Sequence, residues 1–95
     1  MPRYRLAVRS AAAEAIAHLP PDIKRLVRSA LRTLAAEPAA GEPLHAELQG
    51  LSKYRVRRFR VIYKVDRARR VVDVLAVGRR RNVYEEVAEL LREQR

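Results

Sequence analysis

The stretch that decides the fold reads Lys53-Tyr54-Arg55-Val56-Arg57-Arg58-Phe59-Arg60-Val61-Ile62-Tyr63, and Gly78-Arg79-Arg80-Arg81-Asn82-Val83-Tyr84 follows it later in the chain. Residues 53–57 and 59–65 carry strand patterning and are separated by almost nothing, so they are expected to form a tight hairpin around Arg57-Arg58. Between Lys53 and Arg81 there are twelve Lys or Arg and two acids, Asp66 and Asp73, a balance of +10. The whole chain is also +10, so the other residues cancel to zero. The positive charge therefore lies on the strand region, and a basic β-surface on a small protein points to a polyanionic partner, nucleic acid first.

Working outward, Asp66 to Arg70 reads as a turn, and 71–77, nearly all apolar, as a central strand covered on most of its surface. Asn82 with Glu85 three residues later has the form of a capping box, which predicts a last helix over 83–93 with a stripe of Val83, Val87, Leu90 and Leu91. On the other side, Gly50 marks a turn, Leu44, Leu48 and Leu51 are expected to pin their segment to the core, and 37–43 reads as a loop from its Pro and Gly content. A helix beginning at Pro21 or Asp22 must end before Pro38; Ile23, Leu26, Val27, Ala30, Leu31 and Leu34 form its apolar stripe. The Ala-rich run 11–18, with Ser10 as its N-cap, predicts a shorter helix stopped by Pro20-Pro21. Residues 3–8 alternate as a strand, with Tyr4, Leu6 and Val8 on one face. The order is β-α-α-β-β-β-α: an α+β fold, a small antiparallel sheet with an N-terminal helical hairpin packed on it.

Ninety-five residues make one domain, 1–95, and 48% hydrophobic content with one Phe and no Trp predicts a small aliphatic core. The chain has no cysteine, which excludes disulfides and thiolate metal sites and suits a reducing cytoplasm. No ligand cluster of His, Asp or Glu stands out, so no metal and no cofactor is expected. The N-terminus has no long apolar run, so neither a signal peptide nor a membrane span is expected there.

The strand pair Tyr-Arg-Val-x-x-Phe-Arg-Val-Ile-Tyr, the phrase Leu44…Leu48-Gln49-Gly50-Leu51, the run Val77 to Tyr84 and the element order together resemble the RelE/ParE superfamily of bacterial toxins. The resemblance covers nearly the whole chain. It implies a cytoplasmic toxin neutralised by an acidic cognate antitoxin, with DNA met only through the antitoxin complex. RelE-like members cut mRNA in the ribosomal A site. ParE-like members share the fold and poison DNA gyrase, and a degenerate member would only bind its antitoxin. The RelE branch usually carries a tyrosine near the C-terminus, and Tyr84 favours that branch, which implies a ribosome-dependent mRNA endoribonuclease.

Cleaving RNA through its own 2′-OH requires a group to take the 2′ proton, a group to stabilise the charged phosphorane and a group to protonate the leaving 5′ oxygen. His18 lies in the first helix and His45 in a loop, both outside the motif. The resemblance assigns Arg60 to the scissile phosphate as a forked cation, Arg80 to phosphate contact, Tyr84 to stacking or orientation, and Lys53 to the base. Arg55, Arg57, Arg79 and Arg81 are RNA-binding candidates. A second family lysine just upstream of Lys53 is absent, with Leu51 and Ser52 in its place, and Arg57 stands where relatives often have Gly. The plain alternatives are an Arg60 paired with an acid and a Tyr84 packed on the last helix.

Overall fold

The computed structural model describes residues 3–93. The elements follow as β1 (Arg5–Val8), α1 (Ser10–Ala17), α2 (Pro21–Ala36), β2 (Glu42–Pro43), β3 (Ser52–Val56), β4 (Phe59–Asp66), β5 (Val71–Arg79) and α3 (Arg80–Glu93). The five strands form one sheet in the order β1-β5-β4-β3-β2. The α+β class is as expected, and the sheet is mixed, not wholly antiparallel: β1 pairs with β5 in parallel, Arg5 opposite Val71 and Val8 opposite Val74.

Each face of the sheet carries its own core. On one side, α1 and α2 press Ala12, Ile16, Val27, Ala30, Leu31 and Leu34 onto Val56, Val61, Tyr63, Val72, Val74 and Val77. On the other, α3 packs Val83 and Val87 onto Leu51, Ile62, Leu75 and Ala76, with Leu44 and Leu48 at the margin as anticipated. Two-sided cover explains the almost continuous apolar run of β5. Each fully buried aliphatic side chain contributes about 1.5–3 kcal/mol by leaving water.

Strict alternation breaks once. Ile62 stands opposite Ala76 and Tyr63 opposite Val74, so Leu75 is an extra residue in β5. The bulge lets Val72, Val74 and Val77 serve the α1–α2 core while Leu75 and Ala76 serve the α3 core.

Several boundaries differ from the sequence reading. α2 runs between its two prolines as expected, from Pro21 to Ala36. Ser10 is the first residue of α1, not its cap, and no side chain caps that helix. The strand ladder continues through Arg9, whose N–H donates to Val74 O at 3.1 Å, so the chain turns straight from strand into helix. Likewise Asn82 is inside α3, which starts at Arg80 directly after β5 ends at Arg79 and leaves no room for a cap at 82. The 37–43 loop contains a 3-10 turn over Pro38–Ala40 and the two-residue β2, paired through Glu42–Lys53 and Pro43–Ser52. Leu6, on the short edge strand β1, is 37% exposed, while Tyr4 and Val8 pack against the α1–α2 core.

Candidate functional site

The basic residues divide between the two faces of the sheet. On β4, Ile62 faces α3 while Val61 and Tyr63 face α1–α2, so alternation places Arg60 and Lys64 on the α3 side. On β3, Leu51 belongs to the α3 core and Tyr54 and Val56 to the other, which puts Lys53 and Arg55 on the α3 side too. Arg55 stands directly opposite Arg60, and Arg60 directly opposite Gly78. Two arginines paired across strands repel each other. Gly78 has no side chain to screen them, and a Cβ there would sit 3.4 Å from Val83 Cβ, the first apolar contact of α3.

Among the described residues the ion pairs are Arg9–Asp73, at 3.2 Å, and Arg92–Glu89 on the surface of α3. Arg60 therefore has no carboxylate partner; its Nη1 donates to Phe59 O at 3.2 Å, and the half-buried guanidinium is otherwise available. The expectation of an acid-paired structural Arg60 does not hold. α3 begins two residues beyond Gly78, with no acid in its first turn to satisfy its free N–H groups, so the positive end of its dipole adds to the same region. Lys53, Arg55, Arg60 and the start of α3 thus gather as a cationic edge at the hairpin end of the α3 face. Its chemistry is that of fixed cations, suited to holding phosphate and to stabilising charge that builds up on it.

Arg81 is exposed in the first turn of α3, while the Arg80 side chain lies outside the described residues. Tyr84 is half-buried against the α3-side core, so its ring has a packing role whatever else it does. Arg57 occupies the hairpin turn with φ 56°, and its carbonyl accepts a hydrogen bond from Arg55 Nε at 3.4 Å. Arg79 belongs to the opposite face: it pairs with Phe59, and its guanidinium lies 5.7 Å from the centre of the Phe59 ring.

Neither histidine joins the cationic edge. His18, just past α1 as its C-cap and not within it, places Nδ1 2.9 Å from Glu14 O, and α1 packs on the far face. His45 is exposed on the loop whose Leu44 and Leu48 rest against the α3 core, so it borders the right side of the sheet. Glu42, unremarked in the sequence, stands directly across from Lys53 through the β2–β3 pairing. Sequence reasoning also missed the role of Phe59; its position opposite Arg79 depends on the β5 bulge, which no periodicity announces.

Comparison with known proteins fits this fold. No curated protein matches the sequence. A chain of the RelBE2 toxin–antitoxin complex from Mycobacterium tuberculosis is 30% identical, with a TM-score of 0.76 over 84% of this chain and 94% of that one. The fold is also that of a chain in the Escherichia coli RelBE complex, at 20% identity, TM-score 0.71, and 81% and 96% coverage. A chain of the Pyrococcus horikoshii RelE–RelB complex gives 23% identity, TM-score 0.70, and 87% and 100% coverage. Residues 3–84 match the family model of the ParE toxin of type II toxin–antitoxin systems. The chain therefore belongs to the ParE toxin family, within the RelE/ParE superfamily of type II toxins.

Proposed function

We propose that this toxin arrests translation by cutting mRNA on the ribosome, in the RelE manner, and that an acidic antitoxin restrains it in the cytoplasm. The observation that carries the reading is the Arg55–Arg60 pair, two cations held opposite one another with no acid between them beside the start of α3. The 30% identity to a chain of a RelBE complex supports the same branch. In the proposed reaction the RNA 2′ oxygen attacks the adjacent phosphorus, the bond to the 5′ oxygen breaks, and a 2′,3′-cyclic phosphate remains. The 2′ proton passes to a base, for which Lys53 is the candidate, and a proton is delivered to the leaving 5′ oxygen. Arg60, with Arg55 and Arg80, neutralises the phosphorane, while Tyr84 and Arg81 contact the RNA. The DNA of the operon is met only through the antitoxin complex.

The family-model match favours a second reading, a ParE-like inhibitor of gyrase that cuts nothing. The packed position of Tyr84 agrees with it, because a ring used in the core is less available to a base. Primer extension on mRNA after induction separates the two. Discrete new 5′ ends without gyrase–DNA cleavage complexes are expected. Trapped gyrase with intact message would move the protein to the second reading.

A further inference from the structure

We infer that the hollow between the first turn of α2 and the β3–β4 hairpin is a binding site for a free nucleoside polyphosphate, with the base on its apolar floor and the phosphates at its rim of arginines. The site lies on the side of the sheet opposite Arg60 and is separate from the cationic edge on the α3 face.

The first observation is the floor. The hollow holds about 520 Å³, within the span of about 300–1,000 Å³ that small-ligand sites occupy. Pro20 and Ile23 come to it from the start of α2, and Phe59 from the start of β4. Phe59 is the chain's one phenylalanine, and it is only half-buried. Arg79, its partner across β4 and β5, holds its guanidinium 5.7 Å from the ring centre. An aromatic ring beside a guanidinium plane offers the two kinds of surface on which bases stack.

The second observation is the rim. Arg57 and Arg58 form the hairpin turn, Arg79 stands on the β5 side, and no acid is in the lining. None of these three arginines has a carboxylate partner among the described residues. The first turn of α2 borders the same space without a side-chain cap, so the N–H groups of Asp22 and Ile23 have no partner within the helix. Asp22 is the acid of that turn and is not in the lining. Cations gathered in this way repel one another, and a ligand that carries several negative charges in one group relieves the repulsion.

Other small anions match only part of the site. A single carboxylate neutralises one arginine and leaves the others unbalanced, whereas a di- or triphosphate reaches several guanidiniums from one chain of phosphates. An inorganic polyphosphate satisfies the rim and leaves the apolar floor and the ring unused.

The test titrates the full-length toxin with ATP, GTP and tripolyphosphate by calorimetry. At least one nucleoside triphosphate is expected to bind about tenfold or more tightly than tripolyphosphate, the difference measuring the base. Arg58→Glu, exposed in the turn, is expected to weaken that binding at least about tenfold, while Arg69→Glu, the same reversal in the β4–β5 turn, binds as the parent does. Phe59→Leu keeps an apolar side chain and removes the flat ring, and is expected to bring the triphosphates down to the level of tripolyphosphate. Circular dichroism checks folding, and Arg58→Glu decides the matter alone where Phe59→Leu does not fold. Tripolyphosphate binding as tightly as both nucleotides, or equal losses in Arg58→Glu and Arg69→Glu, would reduce the site to the general attraction of a +10 chain and overturn the inference. Absence of binding by either nucleotide would also overturn it. A short RNA or the acidic protein partner that lost affinity in Arg58→Glu would in that case be the occupant of the hollow.

Discussion

Arg60 is held in a strand without a carboxylate among the described residues to balance it, and that makes it the residue on which the proposed chemistry turns. A positioned cation acting on a transition state contributes about 3–4 kcal/mol, a factor on the order of 10²–10³ in rate. Arg60→Ala is accordingly expected to abolish growth arrest and to slow single-turnover mRNA cleavage by that factor, with an unchanged circular dichroism spectrum. Arg69→Ala, in an exposed turn, is expected to leave both at the parent level. A folded Arg60→Ala protein that cuts at the parent rate would show the site to be misplaced. Arg57 poses a different question, because φ 56° puts a side-chain-bearing residue in the left-handed region. That conformation costs an L-residue about 1–2 kcal/mol and glycine little, although glycine loses more entropy on folding. Arg57→Gly, which keeps the carbonyl that Arg55 contacts, is expected to raise the denaturation midpoint by an amount worth about 0.5–1 kcal/mol; a lower midpoint would mean that the entropy glycine loses on folding outweighs the strain. At this scale the sequence was informative about which residues are cationic and uninformative about which are paired. Arg9 meets Asp73 across 64 positions, a contact that only the parallel docking of β1 on β5 creates.

At the scale of the elements, Tyr63 ties the loop after α2 to the sheet. Its hydroxyl donates to Pro38 O at 2.9 Å and accepts from Gly41 N at 3.0 Å. Burial pushes the phenol above its ordinary value, opposed by the hydrogen bonds from the Gly41 backbone and the Ser52 side chain. The folded state thus keeps the proton at a pH where the unfolded chain has begun to lose it. This contribution is complete below about pH 10 and declines as pH rises from there through the folded value. The stability difference between parent and Tyr63→Phe, followed by urea denaturation, is therefore expected to be flat up to about pH 10 and to shrink above it. Below that pH the variant should be less stable by about 1 kcal/mol, since two part-buried backbone groups lose their partner. A difference that stays constant to high pH would refute the linkage. Gly41 belongs to the same tie, because a Cβ there would run into the Tyr63 hydroxyl and the Lys53 carbonyl. Boundaries set by proline were legible from the sequence, as α2 shows. β2 was not, because two residues carry no periodicity and become a strand only by lying against Ser52 and Lys53. The start of α3 was misplaced because Asn82 and Glu85 have the letters of a capping box, while β5 passes into the helix without an intervening loop.

Over the whole molecule, a net charge of +10 meets only two ion pairs among the described residues. Such a surface steers an acidic partner by long-range attraction, which salt screens over about 10 Å at 0.1 M. Association with the antitoxin, followed by stopped-flow fluorescence, is expected to slow by at least about tenfold from low salt to about 0.5 M, with a smaller change in the dissociation rate. A rate indifferent to salt would contradict that picture. How the charge is shared between the two surfaces depends on Leu75. Counted by twos from Val72 and Val74, an unbroken strand would send Arg79 to the side of Arg60 and turn Gly78 toward α1 and α2. The extra residue advances the count by one, so Gly78 meets α3 and Arg79 meets Phe59. One inserted residue thus works as a switchyard for the chain's cations: it routes Arg79 away from Arg60 and leaves one sheet with two differently furnished sides. Relatives that lengthen or shorten this strand by a single residue would trade ligands between those sides without changing a letter of the arginine motif.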